Sequence, residues 1–250
     1  MFLLAAAAAR GQGVAPTPPQ DAEPVTSYPG DAAPPAPAPK NRAQKEPAGA
    51  QALNPSTELA AVLGEMDESS QHFKSAQADV ELVQYTAVVK EKDTQSGQIF
   101  FRRKGSQTEI SLWIEKPHPK RAVVKDDKLT FFDPRTRQVT QRNLGSNKAD
   151  VEAVMNLGFG SRGKELLKDY DATFIAWEPI DGARTARLEL VAKSERLRQL
   201  FTKVVLWIDP HRDVALQQQR FESSGDYQLT HYSNIRLSGH IEDEKFVIEK

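Results

Sequence analysis

The sequence contains no cysteine. Disulfides, thiolate metal sites, a cysteine nucleophile and a lipid-modified cysteine are therefore excluded, although this absence does not fix the compartment. No apolar run approaches the ~18 residues of a membrane span. Charge of one sign is not in excess either. The 33 basic and 34 acidic residues give a net charge of −1, whereas a nucleic-acid-binding domain is usually strongly basic. His72, His118, His211, His231 and His240 are dispersed, with no H-x-H or H-E-x-x-H pair. Spacing therefore supports no metal site. No G-x-S-x-G elbow occurs. Asp126-Asp127 and Glu242-Asp243-Glu244 read more simply as polar turns than as acid–base pairs. Neither catalysis nor a cofactor is required by these residues.

What is present is unevenly distributed. Of the 16 prolines, 11 lie between Val14 and Pro55, among Ala, Gln and Gly. Such a segment favours an extended polyproline-like chain and cannot bury enough apolar surface to offset its ordering entropy. It reads as a disordered linker. Ahead of it, Met1-Phe2-Leu3-Leu4 and the alanines to Ala9 resemble the end of a signal-peptide apolar region, with an A-x-A-like site at Ala7-Ala8-Ala9. The basic n-region is missing, as a start codon assigned too late would explain. The expected division is a truncated signal peptide over 1–13, a linker over 14–55 and a folded domain over 56–250.

The folded part opens with a helix. Ser56 or Thr57 can cap it, and Leu59, Val62, Leu63, Met66 and Phe73 recur at near-helical spacing. The period then changes. Short β-rich runs over 79–92, 98–104, 108–116, 121–125, 128–133 and 138–142 are separated by turn residues such as Ser96-Gly97, Asp126-Asp127 and Asp133-Pro134. Two short helices are expected over 147–157 and 163–170. Strands resume over 172–177, 185–192, 202–208, 214–222, 227–235 and 245–248. Strands so closely spaced form an antiparallel meander rather than a βαβ sheet.

Gly158-Phe159-Gly160-Ser161-Arg162-Gly163-Lys164 satisfies two phosphate-loop patterns at once. Both need a strand in front and a helix behind. Here a helical segment precedes the glycines, and Glu165 stands where a Mg²⁺-binding Ser or Thr belongs, so the motif reads as a hinge between helices. Elsewhere the apolar content is too rich for a one-faced sheet. Ile99-Phe100-Phe101, Leu112-Trp113-Ile114, Leu129-Thr130-Phe131-Phe132 and Val204 to Ile208 are apolar on both strand parities, where strict alternation would leave one face wet. A plain core, a sheet covering helices and a sheet lining an apolar cavity all satisfy that pattern.

Several of these runs also resemble a known family. Leu112-Trp113-Ile114-Glu115-Lys116-Pro117 is similar to a strand of the LolA family of periplasmic lipoprotein carriers. The stretch from Val123 to Pro134 resembles the hairpin that follows it there, and Gln138-Val139-Thr140 the next strand. Ile208-Asp209-Pro210 and Lys245-Phe246-Val247 resemble late strands. The order of elements agrees over about 59–248.

The resemblance implies a mainly β, α+β fold: an incomplete antiparallel β-barrel of about 11 strands around an N-terminal helix and mid-chain lid helices. It implies no enzyme, cofactor or metal. The implied function is a soluble, monomeric periplasmic carrier. It takes the acyl chains of lipoproteins, or other lipid cargo, from an inner-membrane lipoprotein release complex to an outer-membrane acceptor. The physical need is clear, since each CH₂ left in water costs ~0.8 kcal/mol. An alternative on the same fold is a lipid or lipoprotein sensor acting through protein contacts. Leu112, Ile114, Phe101, Trp113 and Phe131 are the implied cavity residues. Met155, Leu157 and Phe159 are the implied lid residues. Lys116 occupies the place of the family's latch arginine, with a compact ammonium instead of a planar fork.

Overall fold

The computed structural model describes residues 54–105, 107–145, 148–155 and 157–248. The expected signal segment and most of the expected linker lie outside them. Helix α1 spans Pro55–Ser69, and its cap is Asn54 rather than Ser56 or Thr57. The Asn54 side chain accepts from the Ser56 N–H at 3.1 Å. Pro55 occupies the first turn, where its missing N–H costs nothing. Val62, Leu63 and Met66 form the buried stripe of this helix.

Eleven strands follow: β1 (Ser75–Thr86), β2 (Glu91–Lys104), β3 (Gln107–Lys116), β4 (Lys120–Lys125), β5 (Lys128–Asp133), β6 (Gln138–Asn143), β7 (Tyr170–Ile180), β8 (Ala183–Ala192), β9 (Lys203–Asp209), β10 (Val214–Phe221) and β11 (Tyr227–Leu237). They make one antiparallel sheet in the order β6-β5-β4-β3-β2-β1-β11-β10-β9-β8-β7. The two edges do not pair, so the sheet is an open half-barrel. Helices α2 (Lys148–Met155) and α3 (Gly163–Asp169) lie between β6 and β7, and α4 (Glu195–Leu200) lies between β8 and β9.

Three features depart from the sequence expectation. The first hairpin turns after Thr86, not at Ser96-Gly97, because Gly97 lies inside β2 at a register shift opposite β3. A Cβ there would overlap the Trp113 carbonyl, so the glycine marks a close backbone approach, not a turn. Helix α4 has no counterpart among the expected elements, although Ser194 caps it by accepting from the Leu197 N–H. The strand expected over 245–248 is replaced by a 3₁₀ turn, Asp243–Phe246.

That turn explains the double apolar parity of β2, β3 and β4. Phe100, Val123, Ile241 and Phe246 form a cluster on the convex side, with Trp113 and Ile248 packed against it. Arg102 lies 4.1 Å over the Phe246 ring. It also pairs with Glu109 and Asp243, each at 2.6 Å. The concave side carries the main core: Phe101, Ile110 and Ile114 from β2 and β3, Val80 and Leu82 from β1, and Leu188, Leu190, Val204, Leu206 and Ile208 from β8 and β9. Helix α1 contacts both β7 and α3, closing over this concave face.

Candidate functional site

The concave face with its covering helices is the candidate site. Its apolar lining follows from register. Ile99 faces Leu112, and Phe101 faces Ile110 across β2 and β3. Leu112 then faces Ala122 on β4, and Ala122 faces Phe131 on β5. Directly opposed residues share a face, so Leu112, Ile114, Phe101 and Phe131 all lie on the concave side. Phe101 is 1% exposed and Ile114 is 3% exposed, both in the main core, whereas Leu112 is half-buried against it. Phe131 belongs to a smaller cluster with Val124, Leu129 and Leu144, against which Val151 of α2 also packs.

Trp113 differs from the expectation. Its parity is opposite to that of Leu112 and Ile114, and it stands on the convex face against Phe100, with ring centroids 5.4 Å apart. Arg121 and Lys245 each lie 4.1 Å from its ring. Its indole N–H donates to Ser111 Oγ at 2.9 Å. Trp113 is therefore an outer-face anchor for the C-terminal segment and does not line the concave face.

The covering element is the segment from α2 through 158–162 to α3. Leu157 and Phe159 are buried in the main core. Phe159 stacks edge-on against Tyr232 at 5.0 Å and lies 6.2 Å from Phe101. The Met155 side chain lies outside the described residues. The glycines of the apparent phosphate motif serve packing. A Cβ on Gly160 would overlap the Phe73 ring, and one on Gly163 would overlap the backbone of Leu63 in α1. Gly160 also has φ +68°, in the left-handed region.

This segment is held by a short seam. The Ala215 N–H donates to the Gly158 carbonyl at 2.6 Å, and the Gly160 N–H to the Asp213 carbonyl at 2.9 Å. Phe159 and Val214 form an isolated β-bridge between them. The Arg103 guanidinium then donates to the carbonyl of Gly160. It also donates to the carbonyl of Ser70 at 3.2 Å, at the end of α1. Burial lowers the pKa of Arg103.

Asp213 is fully buried, and neither carboxylate oxygen has a hydrogen-bond partner among the described residues. Burial pushes its pKa up to about 8, against the opposing pull of Arg103. A residue of the seam itself is therefore a buried neutral acid at neutral pH.

Lys116 is exposed at the end of β3, opposite Ser96. Among the described residues its side chain forms no hydrogen bond or ion pair with a covering helix. The guanidinium that does reach the covering segment is that of Arg103, fourteen residues before Pro117 and on β2. The sequence carries no signal for Arg103, because Arg102-Arg103 reads as an ordinary strand-end pair; only the fold brings its guanidinium to Gly160. Among the described residues no group of three or more His, Asp or Glu has metal-ligand placement. No helix among them is long and apolar enough to cross a membrane.

No family model matches the chain, and no curated protein matches it. Solved structures do. An uncharacterized conserved protein from Thermus thermophilus aligns at 10% identity over 77% of this chain and 95% of that one, with a TM-score of 0.50. A LolA superfamily protein from Nitrosomonas europaea aligns at 17% identity over 76% of this chain and 97% of that one, with a TM-score of 0.38. MucB of Pseudomonas aeruginosa, solved with MucA, aligns at 11% identity over 77% of this chain and 61% of that one, with a TM-score of 0.47. The likeness at these identities is one of fold.

Proposed function

We propose that the chain binds acyl chains on the concave face of its half-barrel and carries them through the periplasm. The cargo is an acylated lipoprotein or another lipid. The route is from an inner-membrane release complex to an outer-membrane acceptor, without catalysis and without a cofactor. One observation carries this reading. A broad apolar face, lined by Phe101, Leu112, Ile114 and Phe131, is covered by two short helices that dock through a seam of few polar contacts. An ordinary core is sealed by continuous packing, whereas a cover that must open needs a seam whose disruption costs only a few kcal/mol. Leu157 and Phe159 fill that face when the cover is shut and would give way to an acyl chain.

Arg103 takes the latch role in this reading. Its planar fork reaches the carbonyls at the end of α1 and in the covering segment together, an arrangement a lysine cannot reproduce. Lys116 is free to meet a partner protein, since it is exposed and away from the cover. That placement favours one second reading: a sensor of the same fold that reports lipid occupancy by protein contact.

Native mass spectrometry of the protein purified from the periplasm of an expressing cell tests both readings. Near one acylated protein or lipid per chain is expected of a carrier. A clean apo mass, with no uptake of lipid offered in detergent, would refute acyl-chain carriage. A sensor would bind lipid only in proportion to what is offered and would retain a partner protein.

A further inference from the structure

One end of the concave face is not apolar. Gln218 and Arg220 on β10 face Thr230 and Gln228 on β11 in direct register. The same two residues face Leu206 and Val204 of the main core across β9. The set thus lies on the core side of the sheet. Gln218, Thr230 and Gln228 are buried, and the Arg220 guanidinium donates to Gln228 Oε1. Three further groups have no hydrogen-bond partner among the described residues: Gln218 Nε2, Arg220 Nε and Thr230 Oγ1. Tyr170, 1% exposed at the start of β7, leaves its hydroxyl unpartnered as well.

Native interiors leave few such groups unsatisfied. Here four occur together, all able to donate, around a cation that forms no ion pair among the described residues. Arg220 interacts electrostatically with Tyr232, Tyr170 and the Glu222 carboxylate, none of which forms an ion pair with it, and burial lowers its pKa. An unpaired buried charge is costly and is normally relieved by an opposite one. Converging donors with a net positive charge call for oxygen acceptors carrying negative charge.

We propose that Gln218, Arg220, Thr230 and Tyr170, with Gln228 as a positioning residue, form a subsite for the carboxylate or phosphate head of an amphiphile whose chain lies along the concave face. This rests on the acyl-chain reading above and adds a head-group preference to it. The geometry suits one molecule. From Val204, opposite Arg220, to Ile208, near the covering seam, β9 presents about 13 Å of apolar strand at about 3.3 Å per residue. Val204, Leu206 and Ile208 along it are all in the main core. An extended chain with its head at Arg220 would run along these residues toward the covering seam.

The test uses the full chain, stripped of lipid, titrated with palmitate, with hexadecanol as the uncharged counterpart, and with inorganic phosphate alone. Arg220→Gln is expected to weaken palmitate binding about tenfold or more, as loss of a charge-assisted contact does, and to leave hexadecanol within about twofold. Tyr170→Phe, which removes only the hydroxyl and keeps the ring, is expected to weaken palmitate severalfold; it stands in if Arg220→Gln does not fold. Palmitate affinity unchanged in both variants would mean that solvent satisfies these groups, and the subsite would fall while acyl binding stands. Equal losses for palmitate and hexadecanol would reduce Arg220 to a structural role and also overturn the subsite. Binding of inorganic phosphate without either chain would leave an ion site and refute both the amphiphile and the carrier reading.

Discussion

Asp213→Asn isolates the electrostatics of the covering seam. In the native protein the Asp213 carboxyl holds its proton to about pH 8, because burial opposes the charge. In the unfolded chain it ionises near the ordinary value of 3.8. Between those values the unfolded state binds fewer protons than the native state, so stability falls as pH rises, by about 1.4 kcal/mol per unit, and levels off above pH 8. At pH 7 the upper bound on the cost is about 4 kcal/mol. Asparagine cannot ionise, yet it tolerates the left-handed φ of +51° at this position. Urea unfolding of wild type and Asp213→Asn at half-unit steps from pH 4.5 to 9 should give curves that converge at the acid end and diverge upward. The variant should be more stable by at least about 1 kcal/mol at pH 8. Parallel pH profiles in the two proteins would refute the burial of a neutral acid in the seam. The same linkage acts on the cover alone. Opening hydrates Asp213, so hydrogen exchange at the Gly158 to Gly160 amides should accelerate with pH beyond its intrinsic dependence in wild type, and not in the variant.

Arg103→Ala leaves the Gly160 and Ser70 carbonyls without their donor and is expected to cost about 2 kcal/mol; it should open 148–169 to limited proteolysis, with Arg103→Lys intermediate. Lys116→Ala, an exposed site, should change stability by less than about 0.5 kcal/mol and leave that proteolysis rate unaltered. Phe159→Ala removes a ring that is 3% exposed and should cost about 3 kcal/mol, seen as lost exchange protection in the cover before global unfolding. Trp113→Leu should lower the melting temperature through the C-terminal segment, yet leave palmitate affinity unchanged; a loss of affinity would return Trp113 to the concave face.

The half-barrel is legible in the sequence because its signals are local. Nearly every strand from β2 to β11 carries a β-rich run bounded by turn residues, and the helical period of α1 is plain in Val62, Leu63 and Met66. The departures are positional. Ser96-Gly97 carries a turn signature, but the contact that explains Gly97 is with Trp113, a residue sixteen positions away that no local rule reaches. Lys245-Phe246-Val247 has the apolar content of a strand, although what its buried phenylalanine covers is Phe100 and Val123 on the outer face. The same ambiguity misplaces Trp113. Apolar residues on both parities establish that both faces are covered, not which face is the core. Parity puts Leu112 and Ile114 on one face, and the register places them together. Arg103, Asp213 and the polar set around Arg220 are not legible at all. Each acquires its meaning from strands that meet only after the sheet has curled.

The concave face has two demands that conflict. As a core it must be sealed, because exposed Phe101 and Ile114 would destabilise the fold and invite aggregation. To bind acyl chains as proposed above, it would have to be vacated by Leu157 and Phe159 at a cost the cargo can supply. The placement of polar groups resolves the conflict. Aromatic contacts of Phe159 with Phe101 and Tyr232 make the closed state favourable. The orphan Asp213 carboxyl and the desolvated Arg103 make it less favourable than packing alone would, since both regain water on opening. A buried group without a partner is expensive wherever it lies, and the unpartnered Asp213 carboxyl lies at the segment whose opening would relieve it, beside a guanidinium that is hydrogen-bonded but desolvated. Replacing both by a well-packed apolar pair should therefore give a more stable protein with a slower cover, the two changes moving together because a single set of desolvated groups controls both.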